Sequence, residues 1–110
     1  MLLKQGVNPE GVCPQIWYAI GVVQRVYASW GEQLVITSLR DGTHGPRSKH
    51  PKGEAADYRT RDLDPSETTS IFHAIKSLLD PLGFDAVLED DHIHQEWDPK
   101  EGENWLTFVP

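Results

Sequence analysis

The chain has 110 residues, with 17 acidic against 10 basic side chains and a formal net charge of −7. One domain with one core fits that length, and the acidic balance argues against nucleic acid as a partner, because phosphate binding needs clustered Lys and Arg. The single cysteine, Cys13, rules out an internal disulfide, and no apolar run reaches the roughly 20 residues that a membrane-crossing helix needs.

In chain order, residues 1–13 read as a leader segment with turn chemistry at Asn8-Pro9-Glu10-Gly11. The start turns polar at once and lacks the apolar run of a secretory signal, so a protein that is cytoplasmic as synthesised is expected. Cys13 is expected as core filler. From Pro14 the apolar positions Ile16, Ile20, Val23, Tyr27 and Trp30 keep helical spacing until Gly31. Trp17 and Trp30 are expected to pack on the face of this helix. Gln33 to Thr37 is short and β-rich, which predicts a buried strand. Residues 39–53 form a long polar loop carrying His44 and His50, and a loop of that length in a small domain is usually functional or disordered.

Ala55 to Arg59 predicts a short strand. A second helix opens at Asp64-Pro65-Ser66-Glu67, which supplies an N-cap, a proline at the first helical position and a glutamate at the third. Its expected apolar face is Ile71, Ile75 and Leu78, widened by Phe72 and Leu79, and Pro81 and Gly83 close it. Phe84 to Leu88 predicts a strand. The acidic turn Glu89-Asp90-Asp91 then leads into His92 to Trp97, and Trp105 to Val109 is expected as an edge strand. This order of elements predicts an α+β domain spanning residues 1–110, with two helices packed on a small, mainly antiparallel sheet.

Four of the five histidines fall in two short segments, 44–50 and 92–94, each with carboxylates nearby. Zinc accepts imidazole, carboxylate and thiolate ligands, and a catalytic zinc keeps three protein ligands and one open position. With one cysteine the chain can build only a His/carboxylate set, the composition of a catalytic site. His50 precedes Asp57 by seven residues, and Gly53 between them permits a tight turn. Side chains alternate along a strand, so Asp57 shares a face with Ala55, and His92 shares one with His94.

His50-x6-Asp57 followed by His92-x-His94 resembles the motif pair HxxxxxxD and HxH of the LAS group, which comprises lysostaphin-type peptidases, D-alanyl-D-alanine metallopeptidases and hedgehog signalling domains. The longer string SxHxxGxAxD, Ser48 to Asp57, is most similar to the D-alanyl-D-alanine carboxypeptidase branch, which includes phage L-alanyl-D-glutamate endolysins. The resemblance covers roughly residues 34–97. It implies a hedgehog/D-Ala-D-Ala-peptidase-like fold, with Zn2+ held by His50, Asp57 and His94. It also implies that Asp91, three residues before the last ligand, is the general base and that His92 lies beside the metal. Glu89-x-x-His92 has the same spacing as Asp91-x-x-His94, so Glu89 stands as the alternative base. Arg40 is expected to face the oxyanion or a substrate carboxylate, with Arg47 as its substitute.

The implied activity is hydrolysis of an amide bond in the peptidoglycan stem peptide, at L-Ala–D-Glu or at D-Ala–D-Ala. The implied partner is that peptide, met by a monomer or by a component of a phage virion and reached through lysis or virion entry; neither nucleic acid nor membrane is expected. The alternative is a non-catalytic zinc-binding structural or recognition module. Blander roles compete at single positions. Glu89-Asp90-Asp91 fits a solvated turn, His44 an exposed loop, and Ser48 a hydrogen bond within the motif loop. Trp97 fits either a cleft wall or the core, Trp105 the core, and His73 is unassigned.

Overall fold

A computed structural model of the chain describes residues 1–41 and 48–99. Among the described residues, five strands and two α-helices form an α+β domain: β1 Leu2–Leu3, α1 Pro14–Ser29, β2 Val35–Ser38, β3 Ala55–Arg59, α2 Pro65–Leu79, β4 Phe84–Leu88 and β5 His92–Trp97. The sheet order is β1-β2-β3-β5-β4. Among these described strands the β1–β2 pairing is parallel, and the β2–β3, β3–β5 and β4–β5 pairings are antiparallel. Among the described residues no helix is long and apolar enough to cross a membrane.

Both helices cover one face of the sheet. From α1, Ile16, Ala19, Ile20, Val23, Val26 and Tyr27 are buried, as the helical period requires. From α2 the buried positions are Ile71, Ile75 and Leu79. They meet Ile36, Ala56, Tyr58, Phe84, Ala86, Ile93 and Trp97 of the sheet in one core. Three expectations need correcting. Leu78 is exposed, because Leu79 continues the i, i+4 row from Ile71 and Ile75 while Leu78 lies about 100° away around the helix. Trp17 is exposed on the outer side of α1, and Trp30 is exposed at the residue after its last turn. Trp97 lies in the core with its ring against Phe84, centroids 4.9 Å apart.

The ends of α2 follow its local chemistry. Asp64 accepts a hydrogen bond from the Glu67 amide at 2.8 Å, satisfying a donor that the first turn leaves without a helical partner. A 3-10 turn, Asp80–Leu82, follows, and Gly83 ends it at φ +103°. At the other end of the chain the leader contributes more than turns. Leu2 and Leu3 pair in parallel with Val35 and Ile36 at the edge of the sheet, and Val7 and Val12 pack at the core. The expected strand at 105–109 lies outside the described residues, as do Trp105, His44 and Arg47.

Candidate metal centre

Strand alternation separates the two faces of the central pair. On β5, Ile93, Gln95 and Trp97 are buried toward the helices, while His92, His94 and Glu96 take the opposite face and are half-buried. On β3, Ala56 and Tyr58 enter the core, leaving Ala55, Asp57 and Arg59 on the other side. The antiparallel register sets Asp57 directly opposite His94, Arg59 opposite His92 and Ala55 opposite Glu96. Directly opposed residues on one face bring their side chains within about 5.5 Å at Cβ. Asp57 and His94, 37 positions apart in sequence, therefore touch: Nδ1 of His94 lies 2.9 Å from Oδ1 of Asp57.

His50 arrives from a different element. It begins the 3-10 turn His50–Lys52, which Gly53 closes at φ +74°. The Gly53 amide donates to the His50 carbonyl at 2.9 Å, and Ser48 Oγ accepts from the His50 amide at 3.2 Å, the hydrogen bond expected within this loop. The turn is held to the start of α1, where the Cys13 amide donates to the Gly53 carbonyl at 2.8 Å. Cys13 itself packs at the edge of the core, and burial raises its thiol pKa. His50 is 2% exposed, and its Nε2 lies 3.2 Å from the same Oδ1 of Asp57.

Ligand-type atoms of His50, Asp57 and His94 all lie within 4.8 Å of one another. The outer nitrogens of the two rings decide what the inner ones can do. Nδ1 of His50 is hydrogen-bonded to the Leu39 carbonyl. A carbonyl only accepts, so Nδ1 carries a proton, and Nε2 is the nitrogen left facing Asp57. Nε2 of His94 lies 2.9 Å from Oε1 of Glu96, another acceptor, while Nδ1 faces Asp57. Two imidazole nitrogens and a carboxylate thus converge, and a metal ion would displace any proton shared between them, the donor set of a His/carboxylate metal site.

The protonation pattern matches this electrostatic picture. Burial disfavours the Asp57 carboxylate, but hydrogen bonds with His50 and His94 outweigh it and hold the group well below the usual range. Asp57 raises the pKa of His94 despite burial, and Glu96 adds to the effect. Both carboxylates thus favour a proton on His94, and a metal ion would have to displace it.

Asp91 and His92 extend the row. Nδ1 of His92 lies 2.7 Å from Oδ1 of Asp91, and Nε2 of the same ring lies 3.9 Å from Oδ2 of Asp57. The hydrogen bond with His92 lowers the pKa of the exposed Asp91 carboxyl. Asp57, Asp91 and His92 line a cavity of about 210 Å³ together with Lys4, Arg59 and Arg61. Glu89 lines a different cavity, with Thr60, Leu63 and Thr68, and its amide closes the β4–β5 turn by donating to the His92 carbonyl at 2.9 Å.

Arg40 does not line the cavity beside Asp57. Its Nε and Nη1 donate to the carbonyls of Pro51 and Glu10 at 3.2 and 2.9 Å, because the chain after β2 turns back against residues 8–11. His73 lies exposed on α2, outside this row. Two contributors escape a reading of the sequence: Glu96, whose signal is an acid two residues after His94 on the same strand face, and Lys4, which reaches the cavity only because β1 joins the sheet. No protein-family model, curated protein or solved structure matches the chain.

Proposed function

We propose that the chain is a zinc-dependent peptidase of the peptidoglycan stem peptide, built on a hedgehog/D-Ala-D-Ala-peptidase-like fold and cutting at L-Ala–D-Glu or at D-Ala–D-Ala. The convergence of His50 Nε2, His94 Nδ1 and Asp57 Oδ1, with the outer nitrogen of each ring already held by an acceptor, is the observation that carries this reading. The donor set fits zinc: three protein groups, no thiolate, and an adjoining cavity for water and substrate. Zinc bound there would polarise the scissile carbonyl and make the attacking water acidic enough to lose its proton near neutral pH.

The remaining steps fall to the chain's own side chains. Asp91 is ionised and hydrogen-bonded to His92, whose far nitrogen faces Asp57, so the pair spans the distance from solvent to the ligands. Asp91 takes the proton of the attacking water, and His92 keeps the carboxylate oriented and helps return a proton to the leaving amine. Lys4, Arg59 and Arg61 make the cavity wall locally cationic in an acidic chain, suited to a developing oxyanion or a carboxylate of the stem peptide. This moves to the cavity cations a role that motif similarity alone assigns to Arg40.

The test is digestion of purified sacculi with zinc, with and without a chelator. New muropeptide ends that appear only with zinc are expected. Asp91→Ala should bind zinc as wild type does yet lose turnover by about 100-fold or more. Unchanged sacculi under zinc-replete conditions would reject the peptidase and leave a zinc-binding recognition module on the same fold.

A further inference from the structure

We infer that Glu96 is the positioning residue of the metal centre: its carboxylate holds the His94 ring so that Nε2 keeps the proton and Nδ1 offers its lone pair to the metal. This rests on the zinc reading above. The geometry separates Glu96 from the ligands themselves. Its Oε1 lies 2.9 Å from His94 Nε2, the nitrogen on the far side of the ring from Asp57, while Nδ1 lies 2.9 Å from Asp57 Oδ1. Both nitrogens meet a carboxylate, but only Asp57 belongs to the ligand group: a metal held by Asp57 would displace the proton on Nδ1, whereas Nε2 keeps its own and donates to Glu96.

The sheet builds this arrangement from alternation and register. Glu96 and His94 are two residues apart on β5 and share the open face. The residue facing Glu96 on β3 is Ala55, whose methyl leaves the carboxylate space to lie along its own strand toward His94. His50 meets the same requirement with a main-chain acceptor, the Leu39 carbonyl. The two rings therefore present opposite nitrogens, Nε2 from His50 and Nδ1 from His94, and each choice is enforced by a partner outside the ligand set. A carboxylate on the outer nitrogen also restrains the ring and strengthens the imidazole as a donor.

A competing account is available. Glu96 lies with Asp85 and Asp98, their oxygens within 4.8 Å of one another, so its charge could act only as part of an acidic patch that attracts cations at range. Asp85 faces Glu96 across the β4–β5 pairing and serves as the control for charge alone.

Zinc affinity measured by competition with a chromogenic chelator tests the proposal on the full chain. Glu96→Gln is expected to bind zinc about 10- to 100-fold more weakly, while Asp85→Asn stays close to wild type. Equal losses in the two variants, or wild-type affinity in Glu96→Gln, would overturn the proposal. Nitrogen-15 spectra of the zinc-loaded wild type give a second reading that needs no variant: a proton on His94 Nε2 supports the role, and a proton on Nδ1 with zinc at Nε2 rejects it. A wild-type chain that takes up no zinc removes the metal reading and this one together. A zinc-binding wild type with an unaffected Glu96→Gln removes this one alone.

Discussion

At the residue scale the site depends on a few positions whose roles can be separated by substitution. Gly53 holds φ +74°, and a Cβ there would stand 2.2 Å from the Gly11 carbonyl oxygen, itself part of the leader. Gly53→Ala therefore meets both a left-handed backbone and a main-chain clash, with an expected loss of about 1–3 kcal/mol in chemical denaturation. It should also weaken zinc uptake, since the same turn carries His50. Arg40 belongs to the opposite class. Its donors reach main-chain carbonyls of Glu10 and Pro51, so Arg40→Gln should lower stability by about 1 kcal/mol and leave KM for a stem peptide near the wild-type value. A KM several-fold higher with unchanged stability would return Arg40 to the substrate.

At the scale of elements, local chemistry was legible wherever it was decided locally. The N-cap and proline of α2, the 3.6-residue period of both helices and the alternation of β3 and β5 all appear in the sequence and in the structure. Asp64 offers a test of sign. Hydrogen bonds from the Glu67 amide and Ser66 hydroxyl lower its pKa, so its contribution to stability is present above the ordinary carboxyl pKa and is lost as pH falls through the folded value. Asp64→Asn keeps a capping oxygen without the titration, and its denaturation midpoint should fall less steeply with acid than that of wild type. Less legible were features decided by contacts between distant segments. β1 is two residues long and exists because β2 offers an edge to pair with, which no pattern within Leu2-Leu3 announces. The same holds for the choice of Leu79 over Leu78, and for Arg40, whose partners are carbonyls 30 and 11 positions away. The grouping of His50, Asp57 and His94 was readable because their spacing resembles a known motif pair, whereas Glu96 belongs to neither half of that pair.

For the whole molecule, the candidate metal centre joins segments that are far apart in the chain: the turn at residues 50–52, β3 and β5. A ligand that binds only the folded state adds RT ln(1 + [L]/Kd) to stability, about 2.7 kcal/mol when zinc exceeds its Kd by about 100-fold. For a domain of roughly this size that corresponds to a rise in Tm of about 10–20 °C. Thermal melts with zinc and with chelator should show it in wild type and not in His50→Ala; identical melts would mean that no metal stabilises this fold. The alternation along β3 and β5 has a consequence for how such a protein can change over time. Residues answering to the core and residues answering to chemistry interleave one by one yet never share a side of the sheet. The core set, Ala56, Tyr58, Ile93, Gln95 and Trp97, and the site set, Asp57, His92, His94 and Glu96, can then accept substitutions under separate selection. A lineage could exchange the ligands for another constellation while keeping its interior, or repack the interior beneath an unchanged centre.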